Sequence, residues 1–363
     1  MELLFKNKQE RYSVLSSSEK ILPIRIDKDK SYLFQGDNFE VMSGILNAHK
    51  GFIDLVYIDP PYKTNQIFSV SESRANTISR RKNSTVAYCD FMEEDDFLEF
   101  MYERLILIYE LLSDKGSIYV HMDTKMGHYI KILLDEIFGT KNFKNDITRI
   151  KSNPKNFNRK AYGNEKDMVL FYSKNFEKNI WNEIKTALNK EELEKKFTKI
   201  DEDGRRYTTV PLHAPGETSS GVTGLEWRGM LPPEGRHWRT SPEELEKMDR
   251  MGLIEWSKTG NPRIKKYADE HKGKKIQDIW KYKDPQNPSY PTQKNNQMLE
   301  QIILQSSSDN SVVMDCFAGS GTTLLAAAKY GRKFIGIDSS NVAIEITKNR
   351  LIKNCVAFEY SDF

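Results

Sequence analysis

Apolar residues follow two alternating patterns along the chain, and these patterns predict a succession of strands and helices. Short stretches that are almost continuously apolar, as expected of strands buried on both faces, lie at 52–59, 117–123, 311–317 and 333–338. Apolar residues at helical spacing lie at 39–49, 95–112, 126–139, 295–307, 321–330 and 341–354. A further short strand is predicted at 31–38. Strands that alternate with helices indicate an α/β fold with a doubly wound parallel sheet.

Three segments depart from this alternation and suggest the domain organisation. Residues 1–30 have weak periodicity and are predicted to form an N-terminal arm. Residues 63–90 are polar and aperiodic, and we interpret them as a mobile loop with a functional role. Residues 151–284 contain short apolar patches and many turns. The pattern therefore predicts one α/β domain, formed by 31–150 and 285–363, that is interrupted by an inserted domain.

Charge is distributed unevenly between these segments. The chain of 363 residues has a formal net charge of +3, whereas residues 151–284 hold 28 basic and 22 acidic residues, a net charge of +6. A basic middle segment between acidic flanks favours a polyanionic partner. The alternative is an ordinary solvated charged surface, so the charge alone does not identify the partner.

Several classes of protein are disfavoured by composition. No run of about 18 apolar residues is present, so we expect no membrane span. The N-terminal residues lack the apolar stretch of a signal peptide. The three cysteines show no CxxC spacing and the six histidines form no HExxH pattern, so we expect a reducing compartment, the cytosol, and no metal site.

The first stretch with a chemical signature is YIDPPY, which follows the predicted strand at 52–59. Its residues Asp59, Pro60, Pro61 and Tyr62 combine a carboxylate, two rigid prolines and an aromatic ring. Consecutive prolines cannot continue a helix and donate nothing to a sheet. Taken alone, the motif fits an ordinary turn at a strand end as well as it fits a catalytic site.

The second stretch is MDCFAGSGTTLLAAA at 314–328, where a strand runs through a glycine turn into a helix. Gly319 and Gly321 allow close approach of the backbone to a ligand, and the helix start offers unpaired N–H groups. Asp338 ends the next strand and can accept hydrogen bonds from ribose hydroxyls. These features predict a site for a cofactor that carries a nucleoside. The third glycine of a dinucleotide fingerprint and the GK[ST] of a P-loop are both absent.

Together these motifs resemble the amino-group DNA methyltransferases. DPPY comes first, a basic region follows, and YPTQK at 290–294 precedes FAGSGTT, an order similar to the beta group of adenine-N6 enzymes and to type III modification subunits. The resemblance covers most of 31–150 and 278–352. It departs at Cys316 and Asn295, where the family usually has proline. It implies a Rossmann-like methyltransferase sheet with permuted motif order, and it makes 151–284 a target-recognition domain.

The resemblance also gives the motifs a mechanism. The exocyclic amino nitrogen of adenine is a poor nucleophile, because its lone pair is delocalised into the ring. Asp59 and the carbonyl of Pro60 can each accept one amino hydrogen, with Pro61 keeping that carbonyl fixed, and both acceptors stabilise the charge that develops. Tyr62 offers a stacking face for the extruded base. The methyl donor implied is S-adenosylmethionine, with no metal.

Further residues are assigned by the same resemblance. Asp37 and Asn38 either cap the following helix or contact the cofactor. The remaining predicted cofactor contacts are Asp59, Thr292, Lys294, Phe317, Ala318, Gly319, Ser320, Gly321, Thr322, Thr323 and Asp338. Within the 63–90 loop, Arg80, Arg81 and Lys82 are predicted to contact DNA phosphates.

The function predicted is a site-specific DNA adenine-N6 methyltransferase acting on double-stranded DNA. The near alternative is an N4-cytosine enzyme, although such enzymes more often have serine where Asp59 stands. An RNA methyltransferase and a catalytically silent DNA-binding subunit are the more distant alternatives. The length favours a type II or orphan enzyme of a bacterial cytosol or nucleoid. A homodimer and a cognate restriction endonuclease on a separate chain are also implied.

Overall fold

The chain divides into two compact units in a computed structural model. The structure describes residues 2–61, 93–152, 160–216, 218, 221–284 and 294–363, together with the backbone of 67–71, 74–76 and 85–89. The first unit contains Met1–Ile184 and Gln277–Phe363, and the second contains Lys185–Ile276. The sequence therefore returns to the first unit after an insertion.

Helices and strands alternate through most of the first unit. In chain order, the helices of both units among the described residues are α1 Arg11–Ser18, α2 Asn38–Ala48, α3 Glu94–Leu111, α4 Gly127–Phe138, α5 Lys190–Lys196, α6 Pro242–Arg250, α7 Asn296–Ser306, α8 Thr322–Lys329 and α9 Asn341–Lys353. Of these, α5 and α6 lie in the second unit. The strands are β1 Tyr32–Gln35, β2 Ile53–Ile58, β3 Ile67–Ser71, β4 Arg74–Asn76, β5 Thr85–Cys89, β6 Leu112–Met122, β7 Phe143–Ile150, β8 Lys166–Ser173, β9 Lys185–Thr186, β10 Lys199–Ile200, β11 Arg206–Pro211, β12 His213–Pro215, β13 Arg236–Trp238, β14 Ile254–Trp256, β15 Pro262–Tyr267, β16 Lys274–Lys275, β17 Ile279–Trp280, β18 Val312–Asp315, β19 Lys333–Asp338 and β20 Glu359–Asp362.

The first unit is built on one nine-stranded sheet. The strand order is β17-β7-β8-β6-β2-β18-β19-β1-β20, and every neighbouring pair is parallel except the two that involve β8. Because β18 comes late in the chain yet lies between β2 and β19, the chain enters the sheet in a permuted order. The predicted doubly wound sheet is confirmed.

Parallel strands bring the polar ends of distant segments to one edge of this sheet. The carboxyl ends of β1, β2, β18 and β19 are followed or formed by Asp37, Asp59, Phe317 and Asp338 respectively. In open α/β sheets, ligands bind outside the carboxyl ends of the strands, where the strand order reverses. The fold thus assembles the predicted motifs at the edge where a site is expected.

Burial explains why these strands have almost no polar residues. Leu55, Val56, Ile118 and Met314 are fully buried, since helices cover both faces of the central strands. Burial of each such aliphatic side chain, relative to leaving it exposed to water, stabilises the folded state by about 1.5–3 kcal/mol. The helices use the same principle on one face only, and α3 buries Leu98, Met101, Leu105 and Ile108 at helical spacing.

Two segments of the first unit contain regular structure that their sequence pattern does not indicate. Residues 1–30, predicted to form an N-terminal arm, contain α1, which buries Val14 and places Arg11 2.6 Å from Glu110. The segment 63–90 is not structureless throughout, since β3 pairs with β4 and with β5 as an antiparallel sheet. The β-branched and aromatic residues in IFSVS and TVAYC carried the signal that was missed.

The inserted unit is shorter than 151–284. Strands β8 and β17 lie within that range but belong to the large sheet, because their pairing partners β6 and β7 lie in the first unit. The insertion itself contains a four-stranded sheet of order β10-β11-β15-β14 and a small core around Leu212, Trp238, Leu245 and Ile264. Its role in target recognition stays a prediction.

The helices of the described residues do not have the character of membrane-spanning segments. None combines the length and the apolar content that a bilayer span requires.

Candidate active site

Asp59 is placed by the end of β2 and is held by a lysine from a distant segment. Its Oδ2 lies 2.5 Å from Nζ of Lys294, and the two side chains are only 15% and 9% exposed. Pro60 is buried directly after it. The arrangement fixes a carboxylate beside a backbone carbonyl whose orientation is restricted by Pro61.

The glycine turn after β18 is closed by Asp338 from the neighbouring strand. Gly319 N–H donates to Asp338 Oδ2 and Ser340 N–H donates to Oδ1, both at 2.8 Å. Burial raises the pKa of Asp338, although the two N–H donors oppose that shift. Each carboxylate oxygen has two lone pairs, so Asp338 retains capacity for two hydroxyl donors.

Asp315, the last residue of β18, is a third acidic group at this edge. Its Oδ1 accepts from Phe317 N–H at 3.1 Å. Burial, together with the smaller effect of the charges of Asp59 and Asp338, raises its pKa to about 7, against hydrogen bonds from Thr323 and Phe317 that lower it. Three carboxyl groups are therefore close enough for their charges to interact at this edge of the sheet.

Asp37 and Asn38 are organised by a buried arginine. Asp37 caps α2 through Phe39 N–H at 2.8 Å and pairs with Arg104 at 3.2 Å. Asn38 Oδ1 accepts a hydrogen bond from Arg104 Nε at 2.6 Å, and Asn38 Nδ2 donates one to Cys316 O at 2.9 Å. Asp37 therefore caps α2 and Asn38 ties the start of α2 to the end of β18, while a contact of either residue with the cofactor stays a prediction.

A buried polar chain lies behind the strand that ends in Asp59. Tyr57 Oη lies 2.9 Å from His121 Nδ1, and His121 Nε2 lies 3.3 Å from Asp167 Oδ2. Asp167 also pairs with Arg149 at 3.4 Å and with Lys151 at 2.5 Å. Burial lowers the pKa of His121, and the neighbouring cations and His121 lower that of Asp167. This chain supports β2 from the adjoining strands.

The predicted site residues differ in their surroundings. Asp59, Pro61, Phe317, Gly319 and Asp338 are half-buried at the carboxyl edge, whereas Ala318, Ser320, Thr322 and Thr323 are buried in the fold. The residues Tyr62, Arg80, Arg81, Lys82 and Thr292 lie outside the described residues. The predicted contact of Lys294 with a cofactor carboxylate stays a prediction, since here its ammonium contacts Asp59.

Sequence reasoning missed the residues that support the site from behind. Arg104 lies within the apolar helix α3, and His121 and Tyr57 lie within buried strands. A charged or polar side chain inside a continuously apolar segment was the available signal, because buried polar groups need partners. The identity of those partners could not be read from spacing.

A mainly parallel sheet with a glycine turn and acidic groups at its carboxyl edge is the arrangement of a Rossmann-like fold. The sequence profile of the N6/N4 DNA methylase family matches residues 53–349. The chain therefore belongs to the N6/N4 DNA methylase family.

Individual relatives are restriction–modification methyltransferases. Type II methyltransferase M.EcaI of Enterobacter cloacae is 44% identical over 82% of this chain and 64% of its own length. The StyLTI Mod subunit of Salmonella typhimurium, a type III enzyme, is 25% identical over 82% of this chain and 50% of its own length. The solved M1.HpyAVI–SAM complex has a TM-score of 0.43 at 19% identity, covering 88% of this chain and 99% of that chain. The matched part of this chain thus spans 64% of the length of M.EcaI and 50% of the length of the StyLTI Mod subunit.

Proposed function

We propose that the chain transfers a methyl group from S-adenosylmethionine to the exocyclic amino group of an adenine in double-stranded DNA. The observation that carries the proposal is the fixed Asp59–Pro60 pair, which adjoins the acidic edge formed by Asp315 and Asp338. Membership of the N6/N4 DNA methylase family supports the reaction class. The relatives' names support a role in a restriction–modification system.

Asp59 and Pro60 would act on the target amino group by accepting its hydrogens. Two acceptors that hold both hydrogens direct the nitrogen lone pair away from the ring plane and stabilise positive charge as it develops. Both acceptors are preorganised, because Lys294 fixes the carboxylate and the double proline restricts the carbonyl. The chain's main contribution is positioning.

The acidic edge fits the chemistry of the proposed cofactor. S-adenosylmethionine supplies an electrophilic methyl group on a positively charged sulfur, and it also carries an ammonium group. Burial and, to a smaller extent, the charges of Asp59 and Asp338 raise the pKa of Asp315, and a cation nearby would favour its ionised form. Asp338 can receive two ribose hydroxyls, and Lys294 can contact a carboxylate.

Aspartate at position 59 favours adenine over cytosine, by resemblance within the family. The N4-cytosine reaction is the second candidate, since the family profile covers both amino groups. A homodimer and a separate restriction endonuclease are further proposals. Gel filtration with light scattering tests the homodimer.

The test uses labelled S-adenosylmethionine and unmethylated genomic DNA. We expect label in N6-methyladenine after hydrolysis of the DNA, and we expect Asp59→Ala to abolish transfer while retaining DNA binding. Label in N4-methylcytosine would reassign the base. Absence of label from DNA of several base compositions, with the cofactor bound, would contradict the proposal.

A further inference from the structure

The arginines of the inserted unit fall into two groups by their partners. Residues 185–276 contain seven arginines. Four contact carboxylates: Arg205, Arg206, Arg228 and Arg250. The other three, Arg236, Arg239 and Arg263, have no carboxylate partner among the described residues. The inserted unit also contains acidic residues that could have paired with these three arginines, so their lack of a carboxylate partner needs a reason.

The second group converges on one place. Arg236 and His213 lie on the paired strands β13 and β12, and Arg236 NH1 lies 3.2 Å from His213 Nδ1. Arg263 lies on β15, where it pairs with Pro211 of β11. The charges of all three arginines act on His213: burial lowers its pKa, and Arg236, Arg239 and Arg263 lower it further. The surface around His213 therefore brings together three arginines, none of which pairs with a carboxylate of the described residues.

Two of these guanidinium groups are also fixed in orientation. Arg239 Nε donates to Pro211 O at 2.9 Å. Arg263 Nε donates to Thr209 Oγ1 at 2.9 Å and its NH2 donates to Thr209 O at 3.0 Å. Thr209 and Pro211 are two residues apart on β11, so one strand holds both side chains. A flexible, solvated arginine would need no such anchors.

We propose that His213, Arg236, Arg239 and Arg263, here called the arginine patch, bind the phosphate backbone of duplex DNA. A guanidinium anchored through Nε still presents terminal N–H donors, and these match phosphate oxygens in geometry and charge. Grouping like charges costs free energy in the unbound protein, and a polyanion removes that cost. The proposal rests on the proposed function for the identity of the polyanion.

The test measures binding of a short duplex of arbitrary sequence as a function of salt concentration. Non-specific binding depends on phosphate contacts, and the logarithm of the affinity falls with the logarithm of salt by about 0.9 per contact. We expect Arg239→Gln and Arg263→Gln each to reduce the salt slope by about 1 and to weaken binding equally across sequences. Arg239→Lys should retain most of the slope.

Arg205→Gln is the matched control, because Arg205 lies in the same unit but is paired with Asp269 and Glu270. We expect its salt slope to equal that of the unaltered chain. Equal slopes for Arg239→Gln and the unaltered chain, or an equal reduction in Arg205→Gln, would overturn the arginine patch. Thermal unfolding checks that each variant is folded.

Failure of the patch and failure of the proposed function give different results. If the patch is wrong, methyl transfer still occurs while the salt slope of the Gln variants is unaltered. If the proposed function is wrong, no methyl reaches DNA at any salt concentration. Transfer by Arg239→Gln that recovers at saturating DNA would support both.

Discussion

A single phenol links the buried polar chain to the strand that ends in Asp59. Tyr57 Oη contacts His121 Nδ1, and Tyr57 lies on β2, two residues before Asp59. We expect Tyr57→Phe to lower kcat up to about a hundredfold, the scale of a misplacement by about 1 Å, with little effect on cofactor affinity. Single-turnover methylation and cofactor titration measure the two quantities separately.

Tyr119→Phe is the control for that substitution. Tyr119 is equally buried, lies opposite Tyr57 in the sheet, and its hydroxyl contacts Ser306 at 2.7 Å. Each substitution removes one buried hydrogen bond, so each should lower the free energy of unfolding by about 1 kcal/mol. Equal kcat values for the two variants would show that the polar chain only stabilises the fold.

Asp315 makes the stability of the first unit depend on pH. Its pKa is about 7 in the folded chain and near 3.8 in an unfolded one, so between about pH 4 and 7 the folded state holds a proton that the unfolded state releases. Stability should therefore fall as pH rises through this window, by up to about 1.4 kcal/mol per unit. The contribution is fully present below the unfolded pKa.

Asp315→Asn measures this contribution, because asparagine keeps an oxygen for Phe317 N–H and carries no charge. We expect the difference in unfolding free energy between variant and unaltered chain to grow from pH 4 to pH 7 in favour of the variant. Urea unfolding at several pH values gives that difference. A constant difference would mean that Asp315 does not titrate in the window.

Single residues also show where sequence reasoning about the site stops. The strand-end positions of Asp59 and Asp338 follow from motif and periodicity, because parallel strands share a carboxyl edge. Pairing of Lys294 with Asp59 joins positions far apart in the chain, and no pattern specifies which acceptor a lysine will contact. The same holds for Arg104 of α3, whose partners Asp37 and Asn38 lie far from it in the chain, at the start of α2.

At the scale of elements, the glycine turn is required for packing as well as for ligand approach. Gly321 caps α8 with φ +71°, and a Cβ there would lie 2.6 Å from Cγ2 of Thr347 in α9. A left-handed backbone costs a residue with a Cβ about 1–2 kcal/mol. We expect Gly321→Ala to lower the free energy of unfolding by more than this amount, because the clash with Thr347 adds to it. Urea unfolding measures the loss.

Gly331→Ala separates backbone strain from the clash. Gly331 has nearly the same φ, +72°, but a Cβ there would meet nothing within 4 Å. We expect this variant to show the backbone cost alone. If the two variants lose equal stability, the contact between α8 and α9 yields easily and the packing argument for Gly321 fails.

The elements themselves were largely predictable in the first unit and poorly predictable elsewhere. Predicted and observed bounds coincide for β19 at 333–338 and differ by one residue for α3 and α9, because buried strands and amphipathic helices have strong periodicity. In the insertion, strands such as β9 and β16 have two residues each, which is too short for any period. Strand β20 was missed, since its residues are all exposed.

At the scale of the whole molecule, each unit has a hydrophobic core of its own. The first contains Leu133 and Ile130 among many others, and the second contains Trp227, Trp238 and Leu245. A separate core is the condition for a unit to unfold without its neighbour. The residues proposed for methyl transfer lie in the first unit, and the arginine patch lies in the second. A substitution that destabilises one unit should therefore impair the function proposed for that unit.

Leu245→Ala should therefore disturb the second unit alone. Leu245 is fully buried, and its truncation should cost about 2–5 kcal/mol. We expect faster hydrogen exchange within 185–276, weaker DNA binding and unaltered cofactor binding. Leu133→Ala, equally buried in the first unit, should give the reverse pattern. Exchange that accelerates throughout the chain in both variants would mean that the two cores unfold as one cooperative system, and the insertion could then not be varied without altering the catalytic unit.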